Sequence, residues 1–279
     1  MRDERKPLLG INVLVLASNV PGPVAASKLA RLGASVTKVE SPAGDTLATW
    51  CPAWYQDLSE GHRLVLLDLK SSQGRDDMEG LLQHADLLLT SFRLSALKRL
   101  SLDWQGLHAR HPRLCQVAIV GYPAPEQNRA GHDLTYQAVL GLLTPPHNPR
   151  TFVADLAGAE RAVTSALSLL YARERGLGAG YDEVALSQSA EEFAAPLRYG
   201  ITAPAGLFGG TLPEYRLYET QQGWIAVAAL EAHFRERLMA ELGLTCLDKA
   251  ELGRVFLSRT ALAWEEWAAA LDLPLAAVR

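Results

Sequence analysis

The sequence predicts an α/β protein, with a parallel sheet and its covering helices in a large first domain and a smaller α+β domain after it. Three observations predict this. From Leu9 to Val120 short apolar runs alternate with amphipathic segments, the pattern of strands and crossover helices. The first run, INVLVLA (Ile11 to Ala17), is apolar throughout, as expected of a strand buried on both faces. Past Phe208 the pattern changes to FGGTLPEYRLYETQQGWIAVAAL, which reads as a small antiparallel sheet.

Each element follows in order. PGP (Pro21 to Pro23) ends the first strand and opens a helix carrying Ala25, Leu29 and Leu32, because proline suits a helix's first turn. Gly33 stands where a helix-ending glycine is favoured, and SVTKVE (Ser35 to Glu40) is the second strand. This strand, helix and strand unit resembles the start of a Rossmann-type fold. It lacks GxGxxG, however, and Asn19 to Pro23 offers a single glycine, so no dinucleotide site is read from it. RLVLLDLK (Arg63 to Lys70), a helix through Met78, Leu81 and Leu82, then ADLLLTS and LCQVAIVG repeat the pattern, and both sheet edges read as buried. Val163, Leu167 and Leu170 have helical spacing, and RERGLGAGYDEVALS reads as a glycine-rich turn into a strand. The domains are placed at 1–205 and 206–279, with EAHFRERLMAELGL and TALAWEEWAAAL as helices of the second.

Composition narrows the function classes. The 279 residues are 48% hydrophobic and 21% charged, which is ordinary for a globular chain. A net charge of -4 gives no reason to propose nucleic acid as a partner. Cys51, Cys115 and Cys246 lie far apart without a CxxC, so neither a disulfide framework nor a metal site is expected. The start, MRDERKPLLG, is charged, and no apolar run has the length of a membrane span. A soluble cytoplasmic protein with no membrane partner is the expectation.

Two short segments stand out, AGHDLTY (Ala130 to Tyr136) and ADLAGA, which begins at Ala154. By themselves they are modest signals. A histidine before a helix can be a cap, and Asp155 before an apolar helix looks like an N-cap.

Taken with other segments they resemble a known family. LGINVLVLASNVPGPVAASKLARLGASVTKVESPAGD, LDLKSSQGRDDMEGLLQHADLLLTSFR, AGHDLTY, ADLAGA and GGTLPEYRLYETQQGWIAVAALE are similar, in order and spacing, to the family joining type III coenzyme A transferases with 2-methylacyl-CoA racemases. The resemblance runs from Leu9 almost to the C-terminus. It implies a large CoA-binding domain, a coenzyme A thioester as substrate with no permanently bound cofactor, and an interlocked homodimer. In the transferases a carboxylate aligned with Asp155 is the nucleophile, and the position of His132 is commonly not histidine. Racemases resemble the chain more closely, so the favoured activity is a 2-methylacyl-CoA racemase with His132 and Asp155 as acid/base pair and Glu231 in support. Lys38, Arg63 and Arg93 match residues that contact the nucleotide, and Asp133 and Tyr136 stand as substrate-side partners that orient His132. Where members often read NRGKRS, Ser59 to Leu64 read SEGHRL, which replaces a lysine by His62 and an arginine by Glu60 at the 3′-phosphate region. The family's chains usually continue past the segment resembling DLPLAAVR to complete the large domain. That return segment is short or missing here, which motivates a further alternative, a non-catalytic CoA-binding or assembly protein.

The chemistry fits these residue types. Racemisation beside a thioester takes a proton from one face of a carbon and returns one to the other, so it needs two acid/base groups. Imidazole, near pKa 6.5, suits that work, whereas a carboxyl near 4 must be raised by burial or a neighbour. The enolate between the two steps needs donors, for which the amides near Leu156 and Ala157 at a helix start are candidates.

Overall fold

A computed structural model describes residues 6–279. Residues 1–5, part of the charged opening segment, lie outside them. The chain divides into two compact units, the first ending at Ala194 and the second running from Ala195 to Arg279, eleven residues before the boundary expected from the sequence.

In the first unit β1 (Asn12–Leu16), β2 (Ser35–Glu40), β3 (Arg63–Leu66), β4 (Leu87–Thr90), β5 (Cys115–Val120) and β6 (Tyr181–Ala185) form one sheet in the order β3-β2-β1-β4-β5-β6. Every neighbouring pair is parallel, with Val13 beside Val36 and Leu14 beside Leu88. That is the doubly wound order of dinucleotide folds, reached here without their glycine fingerprint. Its reversal falls between β1 and β4, where the Ser18 amide donates to Ser91 Oγ at 3.0 Å.

The connecting helices are α1 (Pro21–Arg31), α2 (Thr46–Trp50), α3 (Pro52–Leu58), α4 (Ser72–Leu82), α5 (Leu94–Arg99), α6 (Trp104–Arg110), α7 (Asp133–Val139), α8 (Val153–Glu174) and α9 (Leu186–Phe193). Alternation along the strands feeds two cores. Val13, Val15, Leu87, Leu89 and Val117 pack on one face with Leu29 of α1 and Ala162, Ala166 and Leu170 of α8. Leu14, Leu16 and Leu88 pack on the other with Met78 and Leu82 of α4, Leu97 of α5 and Leu107 of α6. Each such large side chain contributes about 1.5–3 kcal/mol by leaving water. Gly22 allows α1 to sit close on β1, since a Cβ there would lie 2.5 Å from the Ala17 carbonyl carbon.

The sheet departs from expectation at one edge. β3 ends at Leu66 rather than Lys70, and Leu64 and Leu66 are 52% and 58% exposed. Outermost in the order, β3 has a strand on one side only, and its two leucines share a face that no packed element covers.

The second unit holds α10 (Ala195–Arg198), β7 (Tyr215–Glu219), β8 (Trp224–Ala228), α11 (Ala232–Leu242), α12 (Lys249–Phe256), α13 (Ala261–Ala270) and β9 (Leu275–Ala277). Its strands pair antiparallel in the order β7-β8-β9. Ile225 and Val227 pack there with Leu238, Leu252, Phe256, Trp264 and Leu275. The sheet starts at Tyr215, after a helical turn at Leu207–Thr211 that contains Gly210 at φ +96. No helix among the described residues is long and apolar enough to cross a membrane.

Candidate active site at the start of two helices

The site is built where α7 and α8 begin. His132 is the exposed N-cap of α7, held through its backbone. Its N–H donates to Thr135 Oγ1 at 3.0 Å, and its carbonyl accepts from the Thr135 amide at 2.8 Å. The next residue, Asp133, turns inward and is 4% exposed. Its Oδ1 accepts from the amides of Ala154 and Asp155 at 2.6 and 3.0 Å, and its Oδ2 accepts from Gln137 Nε2. Gln137 also donates to the Thr151 carbonyl at 3.2 Å. A side chain of α7 therefore satisfies the orphan donors of α8 and fixes the turn that carries Asp155.

Asp155 is the third residue of α8, inside its first turn, with Phe152 as the N-cap. Burial first, and the Asp133 carboxylate second, push its carboxyl from 3.8 up to about 7. Both protonation states are thus populated near neutrality.

Two expectations change on this geometry. The amides of Leu156 and Ala157 lie past the first turn, where the helical ladder occupies them, and those of Ala154 and Asp155 are spent on Asp133. They offer no oxyanion donors. Asp133 likewise holds α8 rather than orienting His132, and the Tyr136 hydroxyl has no hydrogen-bond partner among the described residues.

Tyr136 is 2% exposed and packs edge-on against Tyr122 with ring centroids 5.2 Å apart. Gly121 and Gly131 make room for it, because a Cβ on either would lie 2.5 or 2.6 Å from the phenol oxygen. Burial, then Tyr122 and Asp155, hold the phenol up at about 12, so it stays a donor.

The remaining candidates lie on other elements. Lys38 is 2% exposed in β2 and closes a separate cluster, paired with Asp45 and, at 2.9 Å, with Glu40. Tyr55 donates to Glu40, and Asp45 also accepts from the amides of Asn19 and Leu47 at 3.1 and 3.0 Å. Burial alone would lower the Lys38 pKa, yet the hydrogen bonds of Asp45 and Glu40 outweigh it and raise it. Its charge is fully engaged. Arg93 is exposed just past β4, at the sheet's reversal, as the N-cap of α5. Arg63 is exposed at the start of β3, three strand spacings from β4, roughly 14 Å away. His62 is half-buried, with both ring nitrogens lacking partners among the described residues, and burial followed by the Lys38 charge lowers its pKa from the usual imidazole value. SEGHRL accordingly supplies no cation at His62. Glu231, in the second unit, is the exposed N-cap of α11.

A family model described as CoA-transferase family III matches residues 8–279. The chain belongs to that family. Among relatives of this family III chain, the succinate–glutarate CoA-transferase of Agrobacterium fabrum is 29% identical over 90% of the chain and 70% of its own length. The alpha-methylacyl-CoA racemase of Homo sapiens is 30% identical over 85% of the chain, which spans 65% of that enzyme. The crystal structure of a hypothetical protein from Mycobacterium tuberculosis superposes with a TM-score of 0.86 at 27% identity, covering 99% of the chain and 85% of its own. Both activities of the family thus stand at similar distance.

What sequence reasoning missed was partly legible. Asp133 and Gln137 are four apart on one helix face, a spacing at which Asn, Gln and Asp side chains pair. Lys38 and Glu40 are two apart on one strand face, followed by Asp45 at a helix start.

Proposed function

We propose that the chain exchanges the α-proton of a 2-methyl-branched acyl-CoA, as a racemase, with His132 and Asp155 as its two acid/base groups. The observation that carries this reading is the Asp155 carboxyl, held at about 7 beside a second buried carboxylate. Reversible proton transfer works best when both forms of the group are available at the working pH. A nucleophile uses only the ionised form. In this reading Arg93 and Arg63 reach the coenzyme A nucleotide, while Lys38 shapes the loop at Asp45. The thioester enters as substrate, no cofactor is held permanently, and the working form is a cytoplasmic homodimer.

The test is isotopic. 2-Methylbutyryl-CoA incubated in heavy water gains deuterium at the α-carbon, and His132→Ala or Asp155→Asn each slows this about 10³-fold. No exchange across a panel of branched acyl-CoA esters sinks the proposal.

A second reading is favoured by the transferase relative, which matches 90% of the chain. Here Asp155 attacks the thioester carbonyl and CoA moves to an added carboxylic acid such as succinate or glutarate. A thioester trapped on Asp155 with CoA transfer establishes it. Coenzyme A binding without exchange or transfer points instead to a non-catalytic binding or assembly protein.

A further inference from the structure

Two carboxyls stand at the start of α8 in unequal surroundings. Asp133 is 4% exposed, and three N–H donors converge on it: the amides of Ala154 and Asp155 on Oδ1, at 2.6 and 3.0 Å, and Gln137 Nε2 on Oδ2. Asp155 is partly exposed, and its carboxyl accepts no hydrogen bond and joins no ion pair among the described residues. Donors favour the charged form of the carboxyl they reach, so the pair is built with its negative charge on one member.

Gln137 is the donor of the three that is not backbone. The two amides belong to the first turn of α8 and need an acceptor in any case. Gln137 is a side chain, 2% exposed, four residues after Asp133 on α7. Leucine or methionine would fill a buried helical position without a polar atom to satisfy. The orientation of the amide is also fixed. The Thr151 carbonyl, 3.2 Å from Nε2, can only accept, so it holds the nitrogen rather than the oxygen of Gln137 on this side. The same nitrogen also donates to Asp133 Oδ2 and requires an acceptor there. A proton on Oδ2 would meet a donor, and Oδ1 is already shared by two amides.

We propose, resting on the acid/base reading of Asp155 above, that Gln137 is a positioning residue that assigns the proton of this pair: it keeps Asp133 as the anion and leaves the proton on Asp155, the member that a substrate can reach. Control runs from the Thr151 carbonyl to the Gln137 amide, then to Asp133 and Asp155. Gln137 touches no reacting atom. It acts by deciding which of two like groups is the acid. Asp133, buried under the turn, could hold a proton but could not deliver it.

NMR of isotope-labelled aspartate carboxyls tests this without substrate. In the wild type one resonance of the pair should titrate near neutral pH, and it should be absent from Asp155→Asn and retained in Asp133→Asn. Gln137→Met, close to glutamine in size and without a donor, should raise the share of the proton held by Asp133 about tenfold or more, the worth of one hydrogen bond to a charged group. Deuterium exchange into 2-methylbutyryl-CoA should then slow roughly three- to tenfold through kcat, with KM unchanged. In an Asp133→Asn background the same substitution should change kcat by less than about twofold, because the carboxylate it acts through is gone. A wild-type resonance near neutrality that persists in Asp155→Asn places the proton on Asp133 and overturns the proposal, whether or not Gln137→Met folds. So does a Gln137→Met chain that leaves the proton on Asp155, however far its melting temperature falls, since the glutamine would then serve stability alone. If the NMR result is as expected and the wild type exchanges no α-proton, the placement of the proton stands and the racemase reading falls.

Discussion

The first unit contains two buried polar clusters built from the same kinds of residue, and they are balanced in opposite ways. Around Lys38, one ammonium meets Glu40 and Asp45, the Tyr55 hydroxyl donates to Glu40, and backbone amides fill the rest of Asp45. Around Asp155, burial and the carboxylate of Asp133 both act against its ionised form, and the buried Tyr136 hydroxyl has no partner among the described residues. Matched groups of the first kind join loops and strands into a scaffold. Mismatched groups of the second kind hold a proton near neutral pH and leave a donor open, which is the condition chemistry requires.

The largest effect on stability should come from breaking the balanced cluster. Lys38→Met strands two buried carboxylates and is expected to cost about 3–5 kcal/mol in urea unfolding. A cost below about 1 kcal/mol would mean that the pairs are not buried as described.

Relieving the unbalanced cluster should do the reverse. Because the folded pKa of Asp155 lies above its unfolded value, the folded chain holds the extra proton between pH 3.8 and about 7, and stability falls as pH rises through that window. Asp155→Asn removes this penalty, so the variant should be more stable than wild type by up to about 4 kcal/mol near pH 8. Below pH 3.8 the gain should vanish. A variant that is less stable than wild type across the whole range contradicts the sign.

The smallest and most selective effect is expected of Asp133→Asn. Asparagine Oδ1 can still accept from Ala154 and Asp155, but its Nδ2 cannot accept from Gln137 Nε2 as Oδ2 does, so the change should cost about 1–3 kcal/mol. Loss of the charge should nevertheless move the Asp155 titration to lower pH, seen by carboxyl NMR or in the acid limb of the rate profile. Burial, the larger cause, keeps it above the ordinary range. An unmoved titration would assign Asp133 a purely structural role.

How much of this was legible beforehand depended on distance along the chain. The strand, helix and strand unit at 11–40 reads directly, because PGP and Gly33 mark the helix ends locally. β9 did not, because LAA at Leu275–Ala277 becomes a strand only by pairing with Val227 and Ile225, some fifty residues earlier. The exposed edge at β3 was hidden for the same reason, since RLVL looks like any buried strand until its place in the sheet order is known. At the site, His132 and Asp155 came from motif resemblance, whereas the bond of Asp133 to the first turn of α8 spans 22 positions.

The sequence by itself determined the α/β class, the family and the identity of the acid/base candidates, because periodicity, caps and motif residues act locally or survive as a pattern. Only the tertiary structure decided which charges were already spent. Lys38 and Asp155 look equally reactive as letters, yet whether a buried charge is matched or opposed depends on side chains brought together by folding, and in a low-dielectric interior that difference sets its protonation.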